Sequence, residues 1–366
     1  MYTPQELAVY IHWPFCKSKC PYCDFYKELY RNINQDEIIS EYLRALQKYH
    51  DLTSERQIKS VFFGGGTPSL IEPRNVAKIL DSIASLWSVS EQAEISLEAN
   101  PGSSSKTLFS DLKNAGINRL SLGVQSLNDS DLRFLGRTHS SNDARQCLQE
   151  IVEIFPNHSA DLIYALPHQT IDDWQKQLLR ICSFGLKHIS AYELTIEEGT
   201  VFARKNICTA DTETTLQMAQ LTAEILASHN YEHYEISNYA AKSFQSIHNL
   251  TYWQGGDYIG IGKSAHGRLS LSNKFFATVY PFEHHELSVV QRAEELILTG
   301  LRLTTGINKH TFQQICGFDL SEFVNRQNLS SLKELKLLEE DDNFLRATPQ
   351  GLSVINEIIR QLCDNS

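Results

Sequence analysis

Six times between residue 7 and about residue 230, a short run rich in Val, Ile, Leu, Tyr and Ser is followed by a longer stretch with the spacing of an amphipathic helix. The strand candidates span residues 7–13, 60–66, 93–100, 119–125, 160–166 and 188–195. The helical patterns span 36–50, 75–87, 105–116, 141–155, 172–185 and about 211–229. Parallel strands cannot be joined by a tight turn and need a crossover of a dozen or more residues, usually a helix. Six strand–helix repeats therefore predict βαβ units around one parallel sheet, the core of an α/β protein. The repeat by itself suits a partial barrel or a doubly wound sheet, and in both, ligands collect at the carboxyl ends of the strands.

The unusual residues fall at those ends. Cys16, Cys20 and Cys23 follow the first strand, Gly64, Gly65 and Gly66 with Thr67 and Pro68 end the second, and Glu98 with Asn100 end the third. Gln125 ends the fourth, Asp161 lies on the fifth, and Tyr192 with Glu193 lie on the sixth. One shared site is the simplest account. Three consecutive glycines, with neither the Gly-Lys-Ser/Thr of a Walker loop nor the GxGxxG fingerprint, allow a backbone to approach a ligand that any Cβ would obstruct. Glu98 and Asp161 suit ribose hydroxyls or an ammonium, and Arg137 suits a carboxylate met in a bidentate fork.

Three thiolates spaced Cx3Cx2C, in HWPFCKSKCPYCDF, can hold three irons of a [4Fe–4S] cube and leave the fourth iron without a protein ligand. The competing use is a structural zinc site completed by His12 or a distant cysteine. Cys147, Cys182, Cys208, Cys316 and Cys363 are scattered singly, and the lack of a second pair at ligand spacing favours the cluster. Trp13, Pro14, Phe15, Pro21, Tyr22 and Phe25 would stiffen the loop and shield the sulfurs.

A chain of 366 residues is expected to form one large domain and a smaller one. With 33 Lys plus Arg against 44 Asp plus Glu, the formal charge of -11 argues against nucleic acid as a main partner, because phosphate binding needs a basic face. No basic segment followed by an apolar core opens the chain and no apolar run reaches the length of a membrane span, so a cytoplasmic protein, not integral to a membrane, is expected. In a reducing compartment a tight cysteine cluster points to metal binding or catalysis rather than to disulfides.

Past the helix at about 211–229 the alternation stops, and residues 231–270 form a Tyr, Gly and His-rich segment. Within it HNLTYW (248–253) and GIGKSAHG (260–267) place His248 and His266 among aromatic and glycine neighbours, where a flat ligand could stack and an imidazole could bind iron. Histidines there serve equally well as ordinary hydrogen-bonding residues. From about residue 288 short helical patterns with a β-wing near 344–348 predict a small winged-helix-like domain, and the little net positive charge it carries favours packing or partner docking over DNA binding.

The runs YIHWPFCKSKCPYCDF, FFGGGTPS, SLEANPG, LSLGVQS, DLIYALPHQT and HNLTYW, in this order, resemble the radical S-adenosylmethionine enzymes of the oxygen-independent coproporphyrinogen III oxidase group, and specifically its HemW-type branch of haem chaperones. The resemblance extends from about residue 7 to 360. It implies a partial (β/α)6 radical-SAM barrel over residues 1–230, a haem-binding and connecting segment over 231–287, and a helical, winged-helix-like C-terminal domain over 288–366. By the same resemblance Cys16, Cys20 and Cys23 hold the [4Fe–4S] cluster, whose open iron takes the amino and carboxylate groups of S-adenosylmethionine, and the reduced cluster can cleave the sulfonium to methionine and a 5′-deoxyadenosyl radical. Tyr10, Gly65, Gly66, Thr67, Glu98, Gln125, Arg137 and Asp161 fall where the oxidase contacts the cosubstrate, the Tyr22 backbone falls near the cluster, and His248 falls in the haem-binding HNxxYW signature. Phe25 stands where the oxidases carry a further cysteine, and their longer N-terminal extension is missing. The implied function is a haem chaperone that hands haem to an acceptor, such as a membrane respiratory enzyme, with a reductant protein as a further partner. Oxidative decarboxylation of coproporphyrinogen III is the alternative.

Overall fold

The structure is a computed structural model that describes residues 4–364. The first three and last two residues, which belong to the expected first and last segments, lie outside the described residues. All six expected strands form, as β1 (Glu6–Trp13), β2 (Gln57–Gly65), β3 (Ser88–Ala99), β4 (Arg119–Gln125), β5 (Asn157–Tyr164) and β6 (His188–Glu193). They pair in parallel and in chain order. That order is the (β/α)6 partial barrel, since a doubly wound sheet reverses its strand order midway.

The crossover helices Gln35–Thr53, Pro73–Leu86, Lys106–Asn114, Ser141–Ile154 and Ile171–Cys182 follow the predicted patterns to within about three residues. Their apolar stripes bury Ile39, Leu46, Ile79, Leu148 and Leu178 in the same core cluster as Leu7, Val9 and Ile11 of β1 and Leu120 and Leu122 of β4. Each such side chain contributes roughly 1.5–3 kcal/mol of burial. The alternate strand residues form the opposite, inner face, and most of them are polar. Register places Tyr10 opposite Phe62, Phe62 opposite Ser96 and Ser96 opposite Arg119. Further up, Glu98 faces Ser121, Ser121 faces Ser159 and Ser159 faces His188. Parallel strands covered on both faces normally read as near-continuous apolar runs. Here the inner rows are hydrophilic, so the barrel encloses a polar lumen.

Residues 231–287, expected as a connecting segment, supply six more strands and extend the sheet at both edges to twelve. Tyr258–Ile261 adds in parallel to β1 and is followed by antiparallel His266–Leu271, Lys274–Val279 and Glu283–Leu287. Asn238–Ala240 and Glu232–Glu235 add antiparallel to β6. Their glycines and histidines interrupt any clean apolar period, and the backbone ladder, which no side-chain pattern reports, makes them strands. Beyond Val289 a second apolar cluster includes Ile297, Phe312, Leu332 and Ile358, with a three-stranded sheet in which Phe344–Ala347 is the expected wing. Among the described residues no helix is long and apolar enough to cross a membrane.

Candidate functional site

The cysteine loop leaves β1 at Trp13, whose buried ring meets Phe15 edge-on at 5.0 Å. The loop is closed by the Glu28 N–H donating to Pro14 O at 2.7 Å and the Tyr30 N–H donating to Cys16 O at 2.9 Å. From the other side the Gly66 N–H donates to Trp13 O at 2.7 Å and the Thr67 N–H to Phe15 O at 3.0 Å. The space that a Cβ would take at each of the three glycines is filled by protein atoms. A Cβ on Gly66 would stand 2.8 Å from Trp13 O and Pro14 C, one on Gly65 (φ +107) 2.5 Å from the His12 ring, and one on Gly64 2.9 Å from the Tyr10 and Phe62 rings. The glycines let the second strand end dock against the first and against the cysteine loop.

One cavity of about 370 Å³ is lined by Cys16, Cys20, Cys23, Tyr22, Gly65, Gly66, Thr67, Glu98, Gln125, Arg137 and Asp161. Tyr10 and His248 line an adjoining lumen cavity of about 440 Å³, and Phe25, Glu98, Asp161 and Tyr192 are walls of both. His12, the candidate fourth zinc ligand, also lies in the lumen wall, where Tyr10 Oη is 2.9 Å from Nδ1 and Nε2 donates to Tyr26 O at 3.2 Å. Among the described residues no three His, Cys, Asp or Glu side chains form a site for a single metal ion. Thiolates around one zinc at about 2.3 Å must crowd together, whereas thiolates on three irons of a cube need not.

The charges in the cysteine cavity suit a cationic guest. Glu98 accepts the Gly65 N–H at 3.1 Å, and burial, then the neighbouring Asp161, pushes its carboxyl up to about 8. Asp161 is raised by burial as well, while accepting the Ser121 hydroxyl at 3.1 Å. A positively charged group between them would reverse both shifts. Arg137 does not offer the free fork expected of it. It donates to Asn100 Oδ1, to Gly123 O at 3.0 Å and to Tyr22 Oη at 3.3 Å, and its Nη1 lies 3.6 Å from Cys20 Sγ, which suits a thiolate there. Gln125 ends its strand in the left-handed region (φ +67), a conformation that costs a non-glycine residue about 1 kcal/mol or more.

In the lumen His248 is 1% exposed. Its Nδ1 bonds Ser60 Oγ at 2.9 Å, its Nε2 bonds the Tyr252 hydroxyl, and its ring stacks on Phe62 at 5.0 Å. Burial, then Arg119, pushes the imidazole down to about 3, so it is neutral. Its helix, Ile247–Trp253, is held by Glu94, which accepts the Ile247 N–H at 3.2 Å and the His248 N–H at 3.3 Å. Glu94, Arg119, Ser60 and Tyr252 were missed by sequence reasoning. Their signal was the polar residue at every second position of strands that should be buried on both faces.

A chain-ordered parallel partial barrel with a three-cysteine loop at the rim defines the architecture of a radical SAM protein, and residues 10–179 match the model described as the Radical SAM superfamily. Residues 287–354 match the HemN C-terminal domain. The chain is 35% identical to radical S-adenosyl methionine domain-containing protein 1, mitochondrial, of Bos taurus, over 98% of this chain and 87% of that protein. It is 38% identical to heme chaperone HemW of Buchnera aphidicola subsp. Schizaphis graminum over the whole of both, and 30% identical to that of Escherichia coli over 96% and 97%. Coproporphyrinogen III oxidase (HemN) from Escherichia coli shares the fold, with a TM-score of 0.83 at 19% identity, covering 100% of this chain and 92% of that one. The chain belongs to the radical SAM superfamily and, within it, to the HemW-type group. A [4Fe–4S] cluster and S-adenosylmethionine are the cofactors of that family, and three thiols beside two cation-seeking carboxylates fit them.

Proposed function

We propose that the chain is a cytoplasmic haem chaperone that takes haem into the lumen cavity and passes it to an acceptor protein, such as a haem-requiring membrane enzyme. One observation carries this reading: the HNLTYW helix brings His248 and Tyr252 into a cavity that shares Glu98 and Asp161 with the cysteine cavity. Cys16, Cys20 and Cys23 are the residues to hold the cluster, and Glu98 and Asp161 those to hold the cationic cosubstrate, with Arg137 balancing the charge at Cys20. The bound cofactors supply reductive radical chemistry, and a reductant protein is the implied electron donor. Haem is the cargo. His248 is its iron ligand in this reading, as a neutral imidazole whose Nε2 must exchange the Tyr252 hydroxyl for iron. The relatives named heme chaperone support this role, and Phe25 at the place of the oxidases' extra cysteine supports it over porphyrinogen turnover.

The test is titration of the purified chain with haem. A Soret band that weakens in His248→Ala is expected, and an unchanged spectrum and affinity moves the ligand elsewhere. Anaerobic incubation with coproporphyrinogen III and a reductant is the second arm. Formation of protoporphyrinogen would overturn a chaperone without turnover.

A further inference from the structure

Three arginines are buried among the described residues, and two of them are hydrogen-bonded through both terminal nitrogens. Arg56 donates to Asp257 Oδ2 and Ser270 O, both at 2.5 Å, and Arg292 donates to Gly255 O and, at 3.0 Å, to Glu295 Oε2. Arg119 is the exception. It is 2% exposed, its side chain donates no hydrogen bond among the described residues, and its buried Nε has an ion-pair contact but no hydrogen-bond partner. The nearest carboxylate oxygen, on Glu94, is 3.7 Å away, and Glu94 is already committed to Ser246 Oγ and the Ile247 and His248 N–H groups. Asp161 is occupied by Ser121, and Glu98 by Gly65.

A guanidinium with five donors and no acceptor is costly to bury, and the cost is recovered when an acceptor arrives. Arg119 lines the lumen cavity, so the acceptor can come from a guest. The planar fork of a guanidinium matches a carboxylate in two parallel bonds. The cavity is graded to suit a molecule that pairs such a group with a flat apolar ring. Phe25 (62% exposed), Tyr26 and Tyr192 line it with partly exposed aromatic faces, whereas Arg119, Ser121 and Ser190 line it with buried polar groups.

We propose that Arg119 is the anchor for a carboxylate arm of the bound porphyrin, orienting the ring with its apolar edge toward Phe25 and Tyr192. This rests on the haem reading above and adds the group by which the lumen selects its guest. The experiment compares haem with haem dimethyl ester, in which both carboxylates are blocked and the ring and iron are unchanged, on the full-length chain, Arg119→Gln and Arg119→Lys. Wild type is expected to bind haem roughly tenfold to a hundredfold more tightly than the ester, the span of one charge-assisted bidentate contact. Arg119→Gln is expected to bind both alike at the ester's affinity, with Arg119→Lys in between. Equal affinity of wild type for haem and ester, or an undiminished preference in Arg119→Gln, overturns the assignment. Where wild type binds both equally with a Soret band that depends on His248, only the Arg119 anchor falls, and where wild type binds neither, the haem reading falls with it. Should Arg119→Gln not fold, Arg119→Lys and the wild-type comparison of the two ligands still decide.

Discussion

Gly66→Ala tests whether the glycine run exists to seat the cysteine loop. The added methyl would meet Trp13 O and Pro14 C at 2.8 Å and Phe15 N at 2.9 Å, all of them backbone atoms that no rotamer change can move aside. Overpacking of this kind costs about 1–3 kcal/mol. If the loop retreats instead, the bonds from Gly66 N–H to Trp13 O and Thr67 N–H to Phe15 O are lost, at about 1 kcal/mol each. Either route displaces the backbone three residues before Cys16. The expected result is a destabilisation of about 2–4 kcal/mol by thermal unfolding and a clear loss of iron and acid-labile sulfide per chain after anaerobic reconstitution. Gly64→Ala is the control, because its methyl meets only the Phe62 and Tyr10 rings at 2.9 Å. That variant should keep its cluster and shift the haem spectrum instead. Full iron and sulfide content in Gly66→Ala, with an unchanged unfolding temperature, would refute the reasoning.

Glu98 gives a pH signature. Its carboxyl titrates at about 8 in the folded chain against an ordinary value of 4.5, so the folded state holds a proton that the unfolded state releases. Stability of the cofactor-free protein should therefore fall as pH rises from about 4.5 to about 8 and level off above. Glu98→Gln should remove this component and exceed wild type by up to about 5 kcal/mol at pH 8.5, with no gain at pH 4; denaturant unfolding with an equal gain at both pH values contradicts this. Tyr252→Phe releases the Nε2 of His248 and should tighten haem binding about fivefold, the value of one net hydrogen bond. Weaker binding in that variant would mean that Tyr252 holds the histidine ready rather than blocking it. Glu94→Gln removes the one ion-pair partner that Arg119 has among the described residues and should cost about 3–5 kcal/mol of stability. A loss below 1 kcal/mol would show that the buried charge is compensated by other groups.

Much of the site could be read from sequence because its position follows from a rule about strand ends. Eleven of the expected residues, from Cys16 to Asp161, line one cavity because most sit on or just beyond the carboxyl halves of parallel strands, with Arg137 reaching in from beyond the helix Asp129–Phe134. What each does was harder to read. Arg137 was expected to present a fork to a guest, yet its donors go to Asn100, Gly123 and Tyr22, with Cys20 in reach. Arg119 drew no notice because an arginine at the start of a strand reads as a surface residue, and only pairing with β3 and β5 turns it inward. The segment 231–287 was opaque for a related reason, since edge strands are made by backbone bonds to distant partners such as β1 and β6.

The sequence by itself determined the parallel α/β architecture, the three-cysteine loop and its place at the rim. These depend on local period and spacing, which neighbouring residues carry. Only the tertiary structure decided that the lumen is polar, that the glycines pack protein against protein, and that Arg137 is spent while Arg119 is not. Whether a buried polar group has a partner depends on strand register and on atoms more than a hundred residues away, as with Arg137 and Cys20. That information exists only once the sheet has closed around the site.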